Sequence, residues 1–429
     1  MKTDPVFSFP IRLACFPGSR SLVKKATAYL GLWVLVALCT VSAFGQTPGA
    51  YSISKFTITS AVLGEERTIL VRTPAAYEAN TVKYPVLYMT DGDAHIGHTA
   101  GTIEFLARNG RISELIVVGI TNTDRTRDLS PTKPAVTGGE GNQLATAGGA
   151  DKFLKFIETE LISEVEKRYR TQPYRTLAGH SLGGLFAIHA MISRPALFNS
   201  YVAVSPSLQW DDEVVVKRAE EFFKSHKEFN ATLYMSLGNE PGAIAVGFKS
   251  FRDLLTKTNA KGFEWEAQQM EDEDHGSVVL RSHYAGLRKT YSGWQVPRDP
   301  QTGIVTGGLA GAEAHFKKLS ERFGYAIPVP ENLINQIGYQ YLFAGKSDEA
   351  IATFKTNVER YPMSANVYDS LAEAYEKGGR IDLAAPLYEK ASTLGEQNKD
   401  PNLAIYKTNY ARVSEKVKVA EAAKKNEKR

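Results

Sequence analysis

One stretch of the chain constrains its fold more than any other. The apolar run at residues 174–179 leads directly into Gly179-His180-Ser181-Leu182-Gly183, and an apolar helical pattern follows at residues 182–192. A Gly-x-Ser-x-Gly motif places its serine on a sharp turn between a strand and a helix, and the two glycines leave room for the backbone of that turn. The helix start supplies free N–H groups where an oxyanion would form. We therefore expect Ser181 to be a nucleophile and the backbone N–H of Leu182 to be an oxyanion donor.

The rest of the first two thirds of the chain alternates between short apolar runs and helical patterns, notably at residues 151–169, 182–192 and 212–227. The later runs show little polar alternation, which is typical of strands that helices cover on both faces. The first two runs can pair as a hairpin across Gly64. This alternation predicts an α/β fold with a mostly parallel sheet and right-handed crossovers. The eight predicted strands are residues 52–60, 67–73, 85–90, 115–121, 174–179, 200–205, 231–237 and 262–269.

A serine nucleophile needs a base, and in this fold class the expected chain order is serine, acid, histidine. Glu240 follows the seventh predicted strand, and His275 lies in the loop after the eighth. We therefore predict that Glu240 and His275 complete a catalytic triad. Two alternatives remain open from the residues alone: His283 is a second candidate base, and Asp272 or Asp274 could be the acid.

The loop after the third predicted strand should supply a second oxyanion donor, and the backbone N–H groups of Gly92 and Asp93 are the candidates. The same loop also permits a metal-binding interpretation, with Asp91, Asp93, His95 and His98 as ligands. The nucleophile machinery already accounts for the loop, so we expect neither a metal nor a cofactor.

The N-terminal segment resembles an export signal. Residues 26–45 carry no charge, follow basic residues and end in a small-x-small cleavage pattern. We expect residues 1–45 to be a signal peptide and the protein to be periplasmic or secreted. The alternative is an uncleaved membrane anchor, because about 20 apolar residues can span a bilayer. Both cysteines, Cys15 and Cys39, precede the predicted cut, which excludes thiol chemistry from the exported chain.

The C-terminal third differs in composition from the rest. Residues 291–308 are rich in Pro, Gly and polar residues and predict a linker between a hydrolase domain, residues 46–290, and a helical domain, residues 309–429. Within the helical domain, residues 331–364 and 365–398 show the 34-residue period of tetratricopeptide repeats. Such repeats could bind a protein partner or mediate self-association. The net charge of only +4, without a basic run in the folded region, indicates no nucleic-acid partner.

The sequence resembles the esterase family that includes enterochelin-type siderophore esterases and feruloyl-esterase-like enzymes. The resembling segments are VLYMTDGDA, IVVGITNTDRTRDLSPT, GGADKFLKFIETELISEVEKRYR, LAGHSLGGLFAIHAM, YVAVSPSLQWDD and His275-Gly276-Ser277. The resemblance implies an α/β-hydrolase fold with Ser181 as nucleophile and His275 as base. It also suggests that four residues line or brace a substrate cleft, and His180 of the serine motif is a further candidate for substrate binding. The four residues are Arg125, Arg127, Asp128 and Trp210, for which an internal Arg–Asp brace and an aromatic core position are the alternatives.

The function that these features predict is hydrolysis of a small-molecule carboxylic ester through an acyl-enzyme, with a siderophore lactone or a small acyl ester as substrate. Two alternatives remain at this stage. The same triad could pass the acyl group to an alcohol instead of water. The protein could also be a binding module that acts through its repeats, with a hydrolase domain that is not catalytic.

Overall fold

The computed structural model describes residues 53–135 and 144–427, and one eight-stranded sheet lies at its centre. The order across the sheet is β1-β2-β4-β3-β5-β6-β7-β8. Strand β2 pairs antiparallel with both β1 and β4, while the remaining pairs are parallel. This arrangement confirms the predicted mostly parallel α/β sheet. The strands are β1 (Ser54–Ser60), β2 (Glu65–Arg72), β3 (Tyr84–Met89), β4 (Ile116–Ile120), β5 (Thr171–His180), β6 (Ser200–Val204), β7 (Glu228–Leu237) and β8 (Lys261–Gln269).

Helices occupy most connections between the strands and all of the C-terminal region. A short 3₁₀ turn, Tyr77–Ala79, precedes β3, and a π-helical segment, Ile157–Leu161, joins α3 to α4. Among the described residues, no helix is long and apolar enough to cross a membrane. The helices are α1 (Gly92–Arg108), α2 (Arg125–Leu129), α3 (Ala150–Phe156), α4 (Ile162–Arg168), α5 (Leu182–Ser193), α6 (Trp210–Ser225), α7 (Ala243–Lys257), α8 (Val278–Thr290), α9 (Gly308–Phe323), α10 (Glu331–Phe343), α11 (Ser347–Arg360), α12 (Ala365–Lys377), α13 (Ile381–Gln397) and α14 (Leu403–Glu427).

Each of the eight predicted strands overlaps a strand of the structure, and the differences lie at strand ends. Strand β7 begins at Glu228 instead of residue 231, because Glu228 pairs with Lys261 of β8 on the exposed end of the sheet. A polar strand end lacks the apolar run on which the prediction depended. The predicted hairpin is confirmed: β1 and β2 pair antiparallel around Gly64, whose φ of 76° is the left-handed conformation that glycine adopts readily.

Two apolar clusters cover the two faces of the sheet, as the alternation along β3 shows. Val86 and Tyr88 belong to one cluster, together with side chains of α3 to α7, whereas Leu87 and Met89 belong to the other, with side chains of α1 and α8. All four of these strand residues are buried. Because the central strands bury both faces, their side chains read as continuous apolar runs in the sequence.

The second cluster continues into the C-terminal helices. The ring of Phe323, at the end of α9, lies 4.8 Å from the ring of Tyr174 in β5 and 5.1 Å from that of Tyr291. Buried side chains of α10, including Ile334 and Ile337, belong to the same cluster. Helices α9 and α10 therefore pack onto the sheet domain through a shared apolar core, to which the predicted linker contributes Tyr291.

The helices α10 to α13 form two consecutive pairs with equivalent starts. Helices α10 and α12 begin at Glu331 and Ala365, and α11 and α13 begin at Ser347 and Ile381. In the first pair an added Cβ at Gly338 would overlap the ring of Phe354, so the glycine permits the close approach of the two helices. The tetratricopeptide identity of these pairs stays a prediction. The predicted signal peptide, residues 1–45, lies outside the described residues.

Candidate active site

Ser181 lies on a strained turn between β5 and α5. Its backbone has φ 58° and ψ −116°, a conformation that residues with a Cβ rarely adopt. The flanking glycines permit the turn, since a Cβ at Gly179 would overlap the backbone of Gly183. The hydroxyl therefore lies at the carboxyl end of the central strand, beside the unpaired N–H groups that begin α5.

The structure brings His275 and Glu240 together, although 34 residues separate them in the chain. His275 Nδ1 lies 2.5 Å from Glu240 Oε2, and the Glu240 side chain is only 8% exposed. The other carboxylate oxygen accepts hydrogen bonds from Ser205 Oγ at 2.6 Å and from the Gly238 N–H at 3.1 Å. This arrangement fixes the imidazole by its Nδ1 and leaves Nε2 available to accept a proton.

The residues that the sequence left open as alternatives have other partners. Asp272 Oδ2 accepts a hydrogen bond from Arg281 at 2.6 Å. Asp274 Oδ1 accepts from the backbone N–H of Gly276 and caps the start of α8. His283 is buried in α8, where its Nδ1 lies 2.8 Å from Thr99 Oγ1. The geometry thus pairs His275 with Glu240.

His275 also lies beside the serine turn. The ring centroids of His275 and His180, the residue before the serine, are 4.5 Å apart. In the part of the chain that the structure describes, the Ser181 hydroxyl hydrogen-bonds to Ser207 Oγ at 3.3 Å and makes no hydrogen bond to His275. Catalytic hydrogen bonds are often long in unliganded enzymes and shorten when substrate binds.

The loop that carries the predicted second oxyanion donor reaches the same turn. An added Cβ at Gly183 would overlap Thr90 Oγ1, so the end of β3 touches the first turn of α5. Helix α1 begins two residues later, at Gly92, and Asp93 follows in its first turn. The free N–H groups at the starts of α1 and α5 therefore lie near each other, and these include the backbone amides of Leu182, Gly92 and Asp93.

Arg125 braces this loop against the serine turn. Its guanidinium donates to both carboxylate oxygens of Asp91, at 2.6 and 3.1 Å, and to the backbone oxygen of His180 at 3.1 Å. Burial alone would raise the pKa of Asp91, but the hydrogen bonds from Arg125, its positive charge and a hydrogen bond from Asn122 hold that pKa below its ordinary value. Asp91 is therefore an ionised structural partner at the edge of the site.

The other predicted substrate contacts have structural partners. Arg127 and Asp128 pair with each other and with Glu65 and Arg67 of β2, in a buried or half-buried ion-pair network. The indole N–H of Trp210 donates to Thr132, and its half-buried ring packs against the first apolar cluster. These contacts correspond to the brace and core roles that the sequence left open.

Three further histidines form a series of ring contacts that begins at His180. Its ring lies 5.7 Å from the ring of His95, which lies 5.2 Å from that of His98, and the ring of His98 stacks on that of His283 at 5.6 Å. Burial, with the charges of His275 and His95, lowers the pKa of His180 to about 4. Burial also lowers the pKa values of His95, His98 and His283. We call these four residues the histidine cluster.

The histidine cluster is neutral near pH 7 because its pKa values lie below the ordinary range. Within the described residues, no three His, Asp or Glu side chains are arranged to hold a metal ion. Sequence reasoning missed the cluster because its members come from the start of α1, the end of β5 and the middle of α8. It also missed Ser205 and Ser207, although Ser205 ends a predicted strand and Ser207 follows it, at the edge of the sheet where the site lies.

Comparisons with known proteins agree with the fold. The family described as "Putative esterase" matches residues 60–297, more than half of the chain. The ferri-bacillibactin esterase BesA of Bacillus subtilis is 29% identical over 46% of this chain and 75% of its own length. A siderophore enterobactin esterase of Emericella nidulans is 30% identical over 45% of this chain and 77% of its own length.

A solved structure extends the similarity beyond the matched region. The crystal structure of an IroE-like serine hydrolase from Shewanella oneidensis superposes with a TM-score of 0.64 at 27% identity. It covers 72% of this chain and 100% of its own. The sheet, the serine turn and these matches define an α/β-hydrolase. The chain belongs to the esterase family and is an esterase-type hydrolase.

Proposed function

We propose that the protein is a serine hydrolase that cleaves carboxylic esters through an acyl-enzyme. The observation that carries the proposal is the geometry of three side chains: Ser181 on a strained turn, and His275 beside it with its Nδ1 held by the buried carboxylate of Glu240. This is the arrangement in which a histidine can remove the proton of a serine hydroxyl.

In the proposed reaction His275 Nε2 takes the Ser181 proton while Ser181 Oγ attacks the ester carbonyl carbon. The backbone N–H groups of Leu182 and of Gly92 or Asp93 stabilise the resulting oxyanion, and each such donor typically contributes about 10²–10³ in rate. His275 then protonates the leaving alcohol. Water, activated by the same imidazole, hydrolyses the acyl-enzyme and regenerates Ser181.

The relatives indicate a substrate class to test. The relative from Emericella nidulans is named a siderophore enterobactin esterase, and BesA is named a ferri-bacillibactin esterase. We therefore propose a siderophore ester as the substrate, with the chemistry of a small carboxylic ester. We propose that Arg125, which is 34% exposed beside the serine turn, contacts such a substrate while it braces Asp91.

The experiment that tests the mechanism is covalent labelling of the full chain with a fluorophosphonate probe, followed by mass spectrometry of the adduct. We expect one adduct, at Ser181, and we expect His275→Ala to abolish rapid labelling. His315→Ala is the matched control, since His315 lies in α9 and bonds to the Trp294 backbone oxygen outside the site. A folded protein that is not labelled at Ser181 would contradict the mechanism.

The substrate class needs a separate test. The protein would be incubated with a catechol siderophore triester and, in parallel, with p-nitrophenyl acetate, and the products would be identified by liquid chromatography and mass spectrometry. Stepwise appearance of the linear esters would support a siderophore substrate. Hydrolysis of the nitrophenyl ester alone would refute the siderophore assignment and leave the serine mechanism in place.

A further inference from the structure

The three residues Ser205-Pro206-Ser207 contact both the nucleophile and the acid. They follow β6 directly, and β6 lies between β5, which carries Ser181, and β7, which leads to Glu240. The carboxyl ends of parallel strands meet at one edge of the sheet, so the segment after the middle strand lies between the groups at the ends of its two neighbours.

This segment is held firmly. Ser205 has φ 38°, unusual for a residue with a Cβ, and its N–H donates to the Ser236 oxygen at 2.8 Å. Helix α5 packs against it closely, since an added Cβ at Gly184 would lie only 3.0 Å from Pro206 Cα. Ser205 is fully buried and Ser207 is 7% exposed. The two hydroxyls therefore keep defined positions.

Each hydroxyl contacts one member of the site. Ser205 Oγ donates to Glu240 Oε1 at 2.6 Å. Ser207 Oγ lies 3.3 Å from Ser181 Oγ, and the Ser207 N–H donates to the Ser181 carbonyl oxygen at 3.1 Å. Within the described residues, Ser181 is the only hydrogen-bond partner of the Ser207 hydroxyl. The segment thus holds Ser181 through both its backbone and its side chain.

The chemistry decides the direction of the bond between the two hydroxyls. During attack the O–H bond of Ser181 breaks and its proton moves to His275 Nε2, while Oγ bonds to the carbonyl carbon and the carbonyl electron pair moves to oxygen. The Ser181 proton must therefore point at His275 and not at Ser207. A lone pair of Ser181 Oγ remains for Ser207, which donates its hydrogen and keeps it throughout.

We infer that Ser207 is a further catalytic residue, whose hydroxyl donates to Ser181 Oγ, orients it and stabilises the negative charge that develops on it as its proton leaves. The inference rests on the proposed serine mechanism and adds a fourth side chain to it. A hydrogen bond to a charged oxygen is stronger than one to a neutral oxygen, so the contribution is larger in the transition state than in the resting enzyme.

The test compares three substitutions at residue 207 with one matched control, all in the full chain. Ser207→Ala removes the donor, Ser207→Cys keeps the shape but donates weakly, and Ser207→Thr keeps the hydroxyl. The control is Ser200→Ala, at the other end of β6, where a buried hydroxyl 2.7 Å from Thr290 Oγ1 is lost away from the site. Circular dichroism and thermal melts establish that each variant is folded.

Two rates are measured: the second-order rate constant for fluorophosphonate labelling of Ser181, and kcat with its KM for a p-nitrophenyl ester. We expect Ser207→Ala to lower the labelling rate and kcat by about tenfold, because one charge-assisted hydrogen bond is lost. KM should change less than about twofold. The labelling rate and kcat of Ser207→Cys should be as low as those of Ser207→Ala, whereas Ser207→Thr should recover most of the activity. Ser200→Ala should match the wild type.

Wild-type rates in folded Ser207→Ala would overturn the inference. An equal loss of rate in the Ala and Thr variants would also overturn it, because that loss would come from altered packing and not from the missing hydroxyl. Both results leave the serine mechanism intact, because the wild type is labelled. A wild-type protein that is not labelled at Ser181 would instead overturn the mechanism, and the inference with it.

Discussion

Substitution of Ser181 should reveal the backbone strain at the serine turn. Ser181 has φ 58° and ψ −116°, a region that only glycine adopts without cost. A residue with a Cβ in such a conformation costs about 1–3 kcal/mol. Comparing Ser181→Gly with Ser181→Ala isolates this cost, because both variants lack the hydroxyl and only one keeps the Cβ.

The expected difference follows from opposing effects. Relief of the strain favours the glycine variant by about 2 kcal/mol. The greater freedom of glycine in the unfolded chain removes about 0.5–1 kcal/mol of this, and the loss of a half-buried methyl group removes a few tenths more. We therefore expect Ser181→Gly to be more stable than Ser181→Ala by about 1 kcal/mol. In urea this corresponds to a midpoint about 0.3 M higher, for an m-value of about 3 kcal/mol/M.

The assay is urea unfolding followed by circular dichroism, with Ser250 as the matched position. Ser250 is a half-buried serine inside the helix α7. At this position the order of stability should reverse, and Ser250→Gly should be less stable than Ser250→Ala by about 1 kcal/mol, because glycine is unfavourable inside a helix. If Ser181→Gly proves equal to or less stable than Ser181→Ala while Ser250 behaves as expected, the turn stores no strain and the reasoning is wrong.

Three further predictions test other parts of the structure. Gly92→Ala should slow fluorophosphonate labelling at Ser181 by about tenfold or more, because its Cβ would overlap the backbone of β4 and displace the proposed oxyanion donor. An unchanged rate would exclude this role. The pKa of His180 is about 4 in the folded protein, below the value of 6.5 expected in the unfolded chain. As the pH drops, the unfolded chain therefore binds the proton first, and the free energy of unfolding falls between pH 6.5 and pH 4. His180→Gln should therefore reduce the loss of unfolding free energy between about pH 7 and about pH 5 by about 2 kcal/mol in urea titrations, and His315→Gln should leave it unchanged. Phe323→Ala should lower the free energy of unfolding by about 3–5 kcal/mol, because its ring is buried in the shared apolar core. Phe343→Ala should lower it by only about 0.5 kcal/mol, because the side chain of Phe343 is 61% exposed. Similar losses for the two variants would contradict the shared core.

Local sequence patterns determined much of the fold and of the candidate site of this protein. The central strands, β3 to β7, were predictable because a strand buried on both faces must be apolar along its length, and that property is visible within five to ten residues. The turn at Ser181 was predictable for a similar reason, since a glycine must stand on each side of a serine forced into a left-handed conformation. The chain order predicted an acid that precedes His275, but the sequence could not choose between Glu240 and the two nearby aspartates.

Only the tertiary structure decided that choice. Glu240 is the carboxylate that the loop conformation carries to His275, whereas Asp272 and Asp274 lie closer in the chain but bond to Arg281 and to the start of α8. The contact of Ser207 with Ser181 and the histidine cluster also depend on the tertiary structure, because strand order and helix packing bring together residues that are remote in the sequence. The sequence also did not determine that helices α9 and α10 pack on the sheet domain. An apolar stripe shows that a helix face is buried, but it does not show which surface covers it.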